Sequence, residues 1–357
     1  MEGATLSKPL ILPAFQAEEV HCTGRAFSSS LSAREKKLVC VTSGNSCLDS
    51  HIVKELLANG YLVRVTIQNP GWKNIYFPRL CLGMDLDFED IKELMKDEEI
   101  NQLESVVVAK MQDLESLCDA FRGCHAIFHT SSFIDPHGVS GYSEHMAFLE
   151  TEVARNVIKA CSGAAYMRRC IFTSSLLASI WSDDNLDRTI DEGCWSNEEF
   201  CRENKLWLAL GKTTAEKAAW GKSKELKVKL VTVCPGLLMA PSFPYAHKDT
   251  SLPYLKGGSV MLQRGILATG DVNKVADAHV RVYEAMDDGA FGRYLCFDKV
   301  VERLDEGIQL ENELKRHGLR PGSVVSAEET REVHSKLCNS KLAKLLLEGS
   351  QGKSCRQ

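Results

Sequence analysis

The chemistry-bearing residues begin where the apolar, β-branched run Lys37 to Thr42 gives way to Ser43-Gly44-Asn45-Ser46-Cys47-Leu48-Asp49, followed by a helical pattern from His51 to Asn59 that Gly60 ends. A strand, a tight small-residue turn and a helix in that order form a phosphate cradle: backbone N–H groups approach a pyrophosphate, and the free helix N-terminus favours its negative charge. Gly44 is the only glycine in this turn, but Ser43 and Ser46 are small and carry hydroxyls that can donate to phosphate. Asp49 opposes that use, because a carboxylate in the first helical turn competes with an anion for the same N–H groups; its alternative role is to cap a helix with no ligand present. The 14 cysteines offer no C-x-x-C pair, so neither a zinc ribbon nor a dithiol redox motif is signalled, and many stand inside apolar runs as small hydrophobes would.

The elements that position this turn follow from periodicity. Strand patterns are expected at Tyr61 to Ile67, Ser105 to Ala109, His125 to Thr130, Arg169 to Thr173 and Val228 to Cys234. Helical patterns lie between them at Leu114 to Phe121, Tyr142 to Cys161 and Lys205 to Lys222. Such alternation over some 200 residues predicts a parallel sheet covered on both faces, with ligands at the carboxyl ends of its strands. Beyond Pro235 the pattern turns irregular and then helical, with helices expected at Asp271 to Met286, Val300 to Arg316 and Ala327 to Leu347 and a returning strand at Arg293 to Phe297. The expected organisation is a flexible arm (1–36), a dinucleotide-binding domain (37–235) with an aperiodic aromatic insertion (71–86), and a smaller substrate lobe (236–357) from which 271–299 returns to the first domain. A cleft between the two is the expected substrate site.

Composition narrows the partner. The 357 residues carry 43 basic and 48 acidic side chains, a formal charge of −5, without the strong positive field of nucleic-acid binders or polybasic membrane anchors. No apolar run approaches the roughly 18 residues of a membrane span, and the start of the chain lacks a basic-then-apolar signal. The expectation is a cytoplasmic protein with a small-molecule partner, and neither nucleic acid nor membrane.

Several segments in consistent order carry a resemblance. They are the turn after the first strand, Leu62-Val63-Arg64-Val65-Thr66, Cys124-His125-Ala126-Ile127-Phe128-His129-Thr130, Phe172-Thr173-Ser174-Ser175, Gly211-Lys212-x-x-Ala215-Glu216 and Val233-Cys234-Pro235-Gly236. Together they resemble the plant cinnamoyl-CoA reductase and dihydroflavonol reductase group, within the extended short-chain dehydrogenase/reductases (the NAD-dependent epimerase/dehydratase superfamily), over roughly residues 38 to 347. The resemblance implies a Rossmann-type doubly wound parallel sheet with a mostly helical C-terminal substrate lobe. It also implies a nicotinamide cofactor, usually NADPH with NAD as the alternative, held by Thr42, Ser43, Gly44, Asn45, Ser46, Cys47, Leu48, Arg64, Asp113, Thr130, Lys212 and Pro235. Asp113 has a second reading as a helix cap.

The resemblance further implies that Ser175 polarises a substrate carbonyl and that Lys212 holds the nicotinamide ribose. In the family a tyrosine four residues before that lysine, on the same helix face, donates the proton. Here Lys205-Leu206-Trp207-Leu208-Ala209-Leu210-Gly211-Lys212 stands where the reductases read K-N-W-Y-C-Y-G-K, so Leu208 occupies the tyrosine position. In the cofactor turn, Ser43, Cys47 and Asp49 likewise replace the family's glycine, phenylalanine and last glycine. Two functions are therefore expected as alternatives. One is an NAD(P)H-dependent reductase of a phenylpropanoid carbonyl or CoA thioester, with water, Tyr142, Tyr245 or His129 replacing the lost donor. The other is a catalytically impaired protein of the same fold that binds or regulates. Trp181, Trp195 and Trp207 are candidates to line the cleft. If Lys212 has no ligand, the expected alternative is that it is solvated or pairs with Glu216.

Overall fold

The computed structural model describes residues 36–42, 46–67, 103–130, 142–163, 169–182, 188–240, 251–316 and 335–354. The expected arm up to residue 35, Ser43, Gly44, Asn45, the 71–86 insertion and Tyr245 lie outside the described residues. Two β-branched strands, β1 (Leu38–Thr42) and β2 (Leu62–Ile67), flank helix α1 (Cys47–Ala58), and Gly60 at φ +81° makes the left-handed turn between helix and strand. Then follow β3 (Leu103–Val108), α2 (Leu114–Ala120), β4 (Ala126–His129), α3 (Glu144–Gly163), β5 (Arg169–Thr173) and the short α4 (Leu177–Ile180). After β6 (Thr189–Ile190) and α5 (Glu198–Glu203) come the long α6 (Trp207–Leu226) and β7 (Lys229–Pro235). The last part runs β8 (Leu237–Met239), α7 (Ser251–Tyr254), α8 (Gly258–Gln263), β9 (Ala268–Asp271), α9 (Val272–Ala285), β10 (Gly292–Cys296), β11 (Lys299–Val300), α10 (Leu304–Arg316), β12 (Lys336–Leu337) and α11 (Ser340–Ser354).

Seven strands make one parallel sheet in the order β10-β7-β5-β4-β1-β2-β3. The chain moves outward from β1 through β2 to β3, then restarts on the other side of β1 at β4. That reversal opens a crevice beyond the carboxyl ends of β1 and β4, where doubly wound sheets take their ligands. Alternating side chains serve opposite faces. Val39 and Val41 belong to one buried cluster with Ile52 and Leu56 of α1 and with Val275 and Val282 of α9. Cys40 joins Ile127 and Cys170 in another, with Val157 and Ile158 of α3 and Ala215 of α6.

The cysteines behave as expected of small hydrophobes: all eleven described ones are free thiols and seven of these are buried, among them Cys40, Cys161, Cys170 and Cys234. Two small sheets, β11-β9-β8 and β12-β6, were not legible as strands in the sequence. The C-terminal helix also reaches the main sheet, since Leu342 of α11 shares the buried cluster of Val39. Among the described residues no helix is long and apolar enough to cross a membrane.

Candidate active site

The crevice is built from the last residues of β1 and β4, which pair in register as Thr42 and His129. Thr42 Oγ1 lies 2.9 Å from His129 Nδ1 and accepts from the Thr130 amide at 3.2 Å, while Thr130 Oγ1 donates to the Thr42 carbonyl at 2.5 Å. Burial, with the nearby charge of Lys212, pushes His129 down to about 3, so the imidazole is neutral. It packs at the end of the strand and bonds to Thr42.

Helix α1 starts at this same end. Ser46 is its N-cap: its hydroxyl accepts from the Asp49 amide at 3.2 Å, and Asp49 Oδ2 accepts from the Ser46 amide at 3.1 Å, a reciprocal capping box. Asp49 is therefore a cap, but it is also 1% exposed, and its Oδ1 has no hydrogen-bond partner. Burial lifts its carboxyl to about 7, against the opposing pull of the neighbouring Thr130 hydroxyl, Ser46 and the charge of Lys212.

Lys212 comes from α6, which lies along α3. The two helices touch closely because position 211 is glycine: a Cβ there would come 2.6 Å from Tyr142 Oη and 3.0 Å from Ala147 Cα. At that spacing Lys212 Nζ meets Glu150 Oε1 at 2.5 Å, with the two side chains only 8% and 4% exposed. Tyr142 Oη donates to the other Glu150 oxygen, and burial and that carboxylate hold the phenol well above its ordinary value. A lysine, a glutamate and a tyrosine thus form one buried chain. The expected alternative partner of Lys212 is replaced: Glu216 instead accepts from Arg293 Nε at 2.8 Å, Ser174 Oγ at 2.6 Å and Thr232 Oγ1 at 2.6 Å.

Ser175 follows β5 at the same end of the sheet. Its oxygen accepts from the Leu177 amide at 3.2 Å, a bond that uses the oxygen and not the proton of the hydroxyl. The backbone on either side is tied to β7, with the Ser174 amide on the Val233 carbonyl and the Leu176 amide on that of Pro235. Leu208, one turn before Lys212, is buried in an apolar cluster with Leu176, Leu177, Trp181 and Tyr142. No hydroxyl stands at that position.

Thr42, Thr130, Ser175 and Pro235 stand at or just after the carboxyl ends of β1, β4, β5 and β7, Ser46, Cys47, Leu48 and Asp49 form the start of α1, and Lys212 lies on α6. Arg64 points elsewhere, whereas Asp113 follows β3 at the carboxyl side of the sheet. The Arg64 guanidinium, whose strand residue pairs with Cys40 mid-strand, is held by Glu104 at 2.7 Å and by the Ala120 and Arg122 carbonyls at the end of α2. Asp113 caps α2, accepting from the Glu115 amide at 3.0 Å. Trp181 is 1% exposed in the core, and Trp195 lies under the Arg293 guanidinium at 3.8 Å. A depression of about 390 Å³ beside Trp195, Trp220 and Lys341 lies at the edge strand β10, not in the crevice. Its Arg293 is committed to Glu216, Ser179 and two carbonyls.

Sequence reasoning missed Glu150. A signal existed: Glu150 interrupts the apolar stripe Ala147, Ala154, Val157, Ile158 and Cys161 of α3, and a charge on a buried stripe requires a partner.

A doubly wound parallel sheet with a serine after β5 and a buried lysine on the following long helix defines a dehydrogenase/reductase of the short-chain type. The comparisons agree. Residues 40–234 match the model of the 3-beta hydroxysteroid dehydrogenase/isomerase family. A cinnamoyl-CoA reductase of Petunia hybrida is 33% identical over 325 residues, covering 89% of this chain and 90% of that protein. Among solved structures, vestitone reductase from alfalfa aligns with a TM-score of 0.59 at 25% identity, over 87% of this chain and 92% of that one. Yeast methylglyoxal/isovaleraldehyde reductase, solved with NADPH, aligns with a TM-score of 0.62 at 19% identity, over 87% of this chain and 92% of that one, a likeness of fold. The chain belongs to the 3-beta hydroxysteroid dehydrogenase/isomerase family of extended short-chain dehydrogenase/reductases, in the group of the plant cinnamoyl-CoA and dihydroflavonol reductases.

Proposed function

We propose that this protein is an NADPH-dependent reductase of a phenylpropanoid-type carbonyl or CoA thioester. The observation that carries the reading is Lys212, buried and paired with Glu150 on the long helix α6, together with Ser175 just after β5. The kinship with cinnamoyl-CoA reductases supports the substrate class, and the NADPH bound to the yeast reductase of the same fold supports the cofactor. The residues around α1 that fit a dinucleotide are a helix N-terminus at the switch point of the sheet, with Thr42 and Thr130 beside it. NAD is the alternative cofactor.

Bound dinucleotide supplies hydride. Ser175 turns its hydroxyl proton toward the substrate oxygen and polarises the carbonyl. Lys212 has three N–H donors, of which Glu150 takes one, leaving donors for the ribose. The proton comes from water or from Tyr142, which is joined to Lys212 through Glu150. The reading includes a small-molecule substrate and a cytoplasmic setting.

The test is NADPH binding by calorimetry or fluorescence quenching, followed by turnover with a hydroxycinnamoyl-CoA. Binding is expected in the micromolar range, with turnover abolished by Lys212→Ala. Absence of binding at millimolar cofactor refutes the reductase. Leu208, buried among apolar side chains, favours a second reading, a relative that binds dinucleotide without turning over. Leu208→Tyr separates the two: restoring one general acid raises the rate by about 10² to 10⁴ if its absence is the obstacle.

A further inference from the structure

Strand β10 ends the main sheet on one side: it pairs with β7, and among the described residues no strand lies beyond it. Backbone groups of successive strand residues point to opposite sides of the strand. The Cys296 carbonyl takes the Gly236 amide on the β7 side, at 2.9 Å, so the groups of Arg293, Leu295 and Phe297 face outward. Such a row of amides and carbonyls is a template on which another strand can pair.

Here side chains occupy the row. Lys341 Nζ, from the first turn of α11, donates to the Phe291 and Arg293 carbonyls at 2.6 and 2.8 Å and lies 4.1 Å from the centre of the Tyr294 ring. Glu192 Oε1, just after β6, accepts from the Leu295 amide at 3.5 Å, and Asn339 Nδ2, just before α11, donates to the Phe297 carbonyl at 2.9 Å. Gly292 allows the ammonium to come so close: its φ is +84°, and a Cβ there would stand 3.0 Å from Lys341 Nζ. Carbonyl, carbonyl, amide and carbonyl are thus satisfied in order along the strand, as the backbone of a further strand would satisfy them.

Space for that strand exists beside Gly292 and Arg293. The depression of about 390 Å³ opens there, with Glu192 and Lys341 among its lining, and Phe291 at the head of the strand is 75% exposed. At this place the edge is covered by side-chain hydrogen bonds rather than by another element.

We infer that Lys341, Glu192 and Asn339 stand in for an eighth strand of the seven-stranded sheet, and that their bonds keep β10 from pairing with β10 of a second copy of this chain. Pairing of β10 with itself is antiparallel and two-fold, so the assembly that these side chains prevent closes at two chains. The inference does not depend on the reductase reading, since none of the three residues belongs to the crevice.

The test compares the wild type with the triple variant Glu192→Ala, Asn339→Ala and Lys341→Met, in which methionine keeps the apolar stem of the lysine. Light scattering after size exclusion, over a series of concentrations, is expected to give the variant about twice the wild-type mass at the upper end. Hydrogen exchange then shows the Arg293 and Leu295 amides about tenfold slower in the associated variant than in the same variant diluted to single chains, the protection of a new backbone hydrogen bond. A folded variant that keeps the wild-type mass at every concentration overturns the inference. Association that leaves those two amides unprotected also overturns it, because the contact then lies elsewhere, as does a wild type whose own Arg293 and Leu295 amides gain protection with concentration. Should the triple variant fail to fold by circular dichroism, Lys341→Met alone is judged by the same two readouts: a larger paired fraction than wild type, protected at Arg293 and Leu295, upholds the inference, and its absence overturns it.

Discussion

Replacing Glu150 with glutamine tests whether Lys212 depends on that carboxylate. The wild-type pair is 2.5 Å apart with both side chains less than a tenth exposed, so Glu150→Gln leaves an ammonium buried beside a neutral amide. Removing one partner of a buried pair costs about 3–5 kcal/mol, and the retained amide oxygen, still an acceptor for Lys212 and Tyr142, returns about 1 kcal/mol. The other negative group acting on Lys212 is Asp49, which titrates at about 7. The loss is therefore expected to be about 2–4 kcal/mol, toward the lower end at about pH 8, where Asp49 is ionised, and toward the upper end at about pH 6, where it is not. Urea unfolding at the two pH values reads this as a shift in midpoint at constant slope, a large fraction of the about 5–15 kcal/mol that stabilises a typical domain. Adding Lys212→Met is expected to recover most of the loss, because the stranded charge goes with it. A loss below about 1 kcal/mol at both pH values, or one that Lys212→Met leaves untouched, would show that the pair does not carry the energy assigned to it.

Three further outcomes follow from the same packing. The Asp49 carboxyl rises from 3.8 unfolded to about 7 folded, so its contribution to stability falls as pH rises through that window. Asp49→Asn should therefore gain on the wild type by up to about 4 kcal/mol between about pH 4 and about pH 7 and then level off, read by denaturant melts across pH. His129 and His279, lowered to about 3 and about 4, work the other way: their contribution is full above the unfolded value of 6.5 and is lost on acidification, so the acid limb of Asp49→Asn is steeper than that of the wild type. Gly211→Ala sets a methyl against Tyr142 Oη and the Ala147 backbone and is expected to cost about 1–3 kcal/mol by thermal melts, with Tyr142→Phe relieving only the hydroxyl part. Glu216→Gln strands the buried Arg293 guanidinium and is expected to cost about 3 kcal/mol or more in urea, with Arg293→Leu restoring part of it.

The parallel sheet was legible because its strands are short β-branched runs between helical periods, and such a pattern has few ways to bury its apolar residues. Ser175 and Lys212 were legible through the family resemblance and through their positions after a strand and on a helix. Arg64 was misleading: a basic residue in the second strand looks available to a phosphate, but a neighbouring strand brought Glu104 against it. The small sheets of β8, β9 and β11 and of β6 and β12 were invisible because strands of two to four residues carry no period.

What the sequence determined by itself is therefore the alternation of elements, the place of the crevice and the absence of a hydroxyl at Leu208, since these depend on local pattern and residue identity. The charge state of the site was decided only by tertiary structure. Glu150 is 62 residues from Lys212, and Asp49 comes from a third element. Which carboxylate neutralises the lysine, and whether Asp49 keeps its proton, depend on distance and on exclusion of water. Both are properties of how α1, α3 and α6 pack against the strand ends, and neither is written at any one position in the chain.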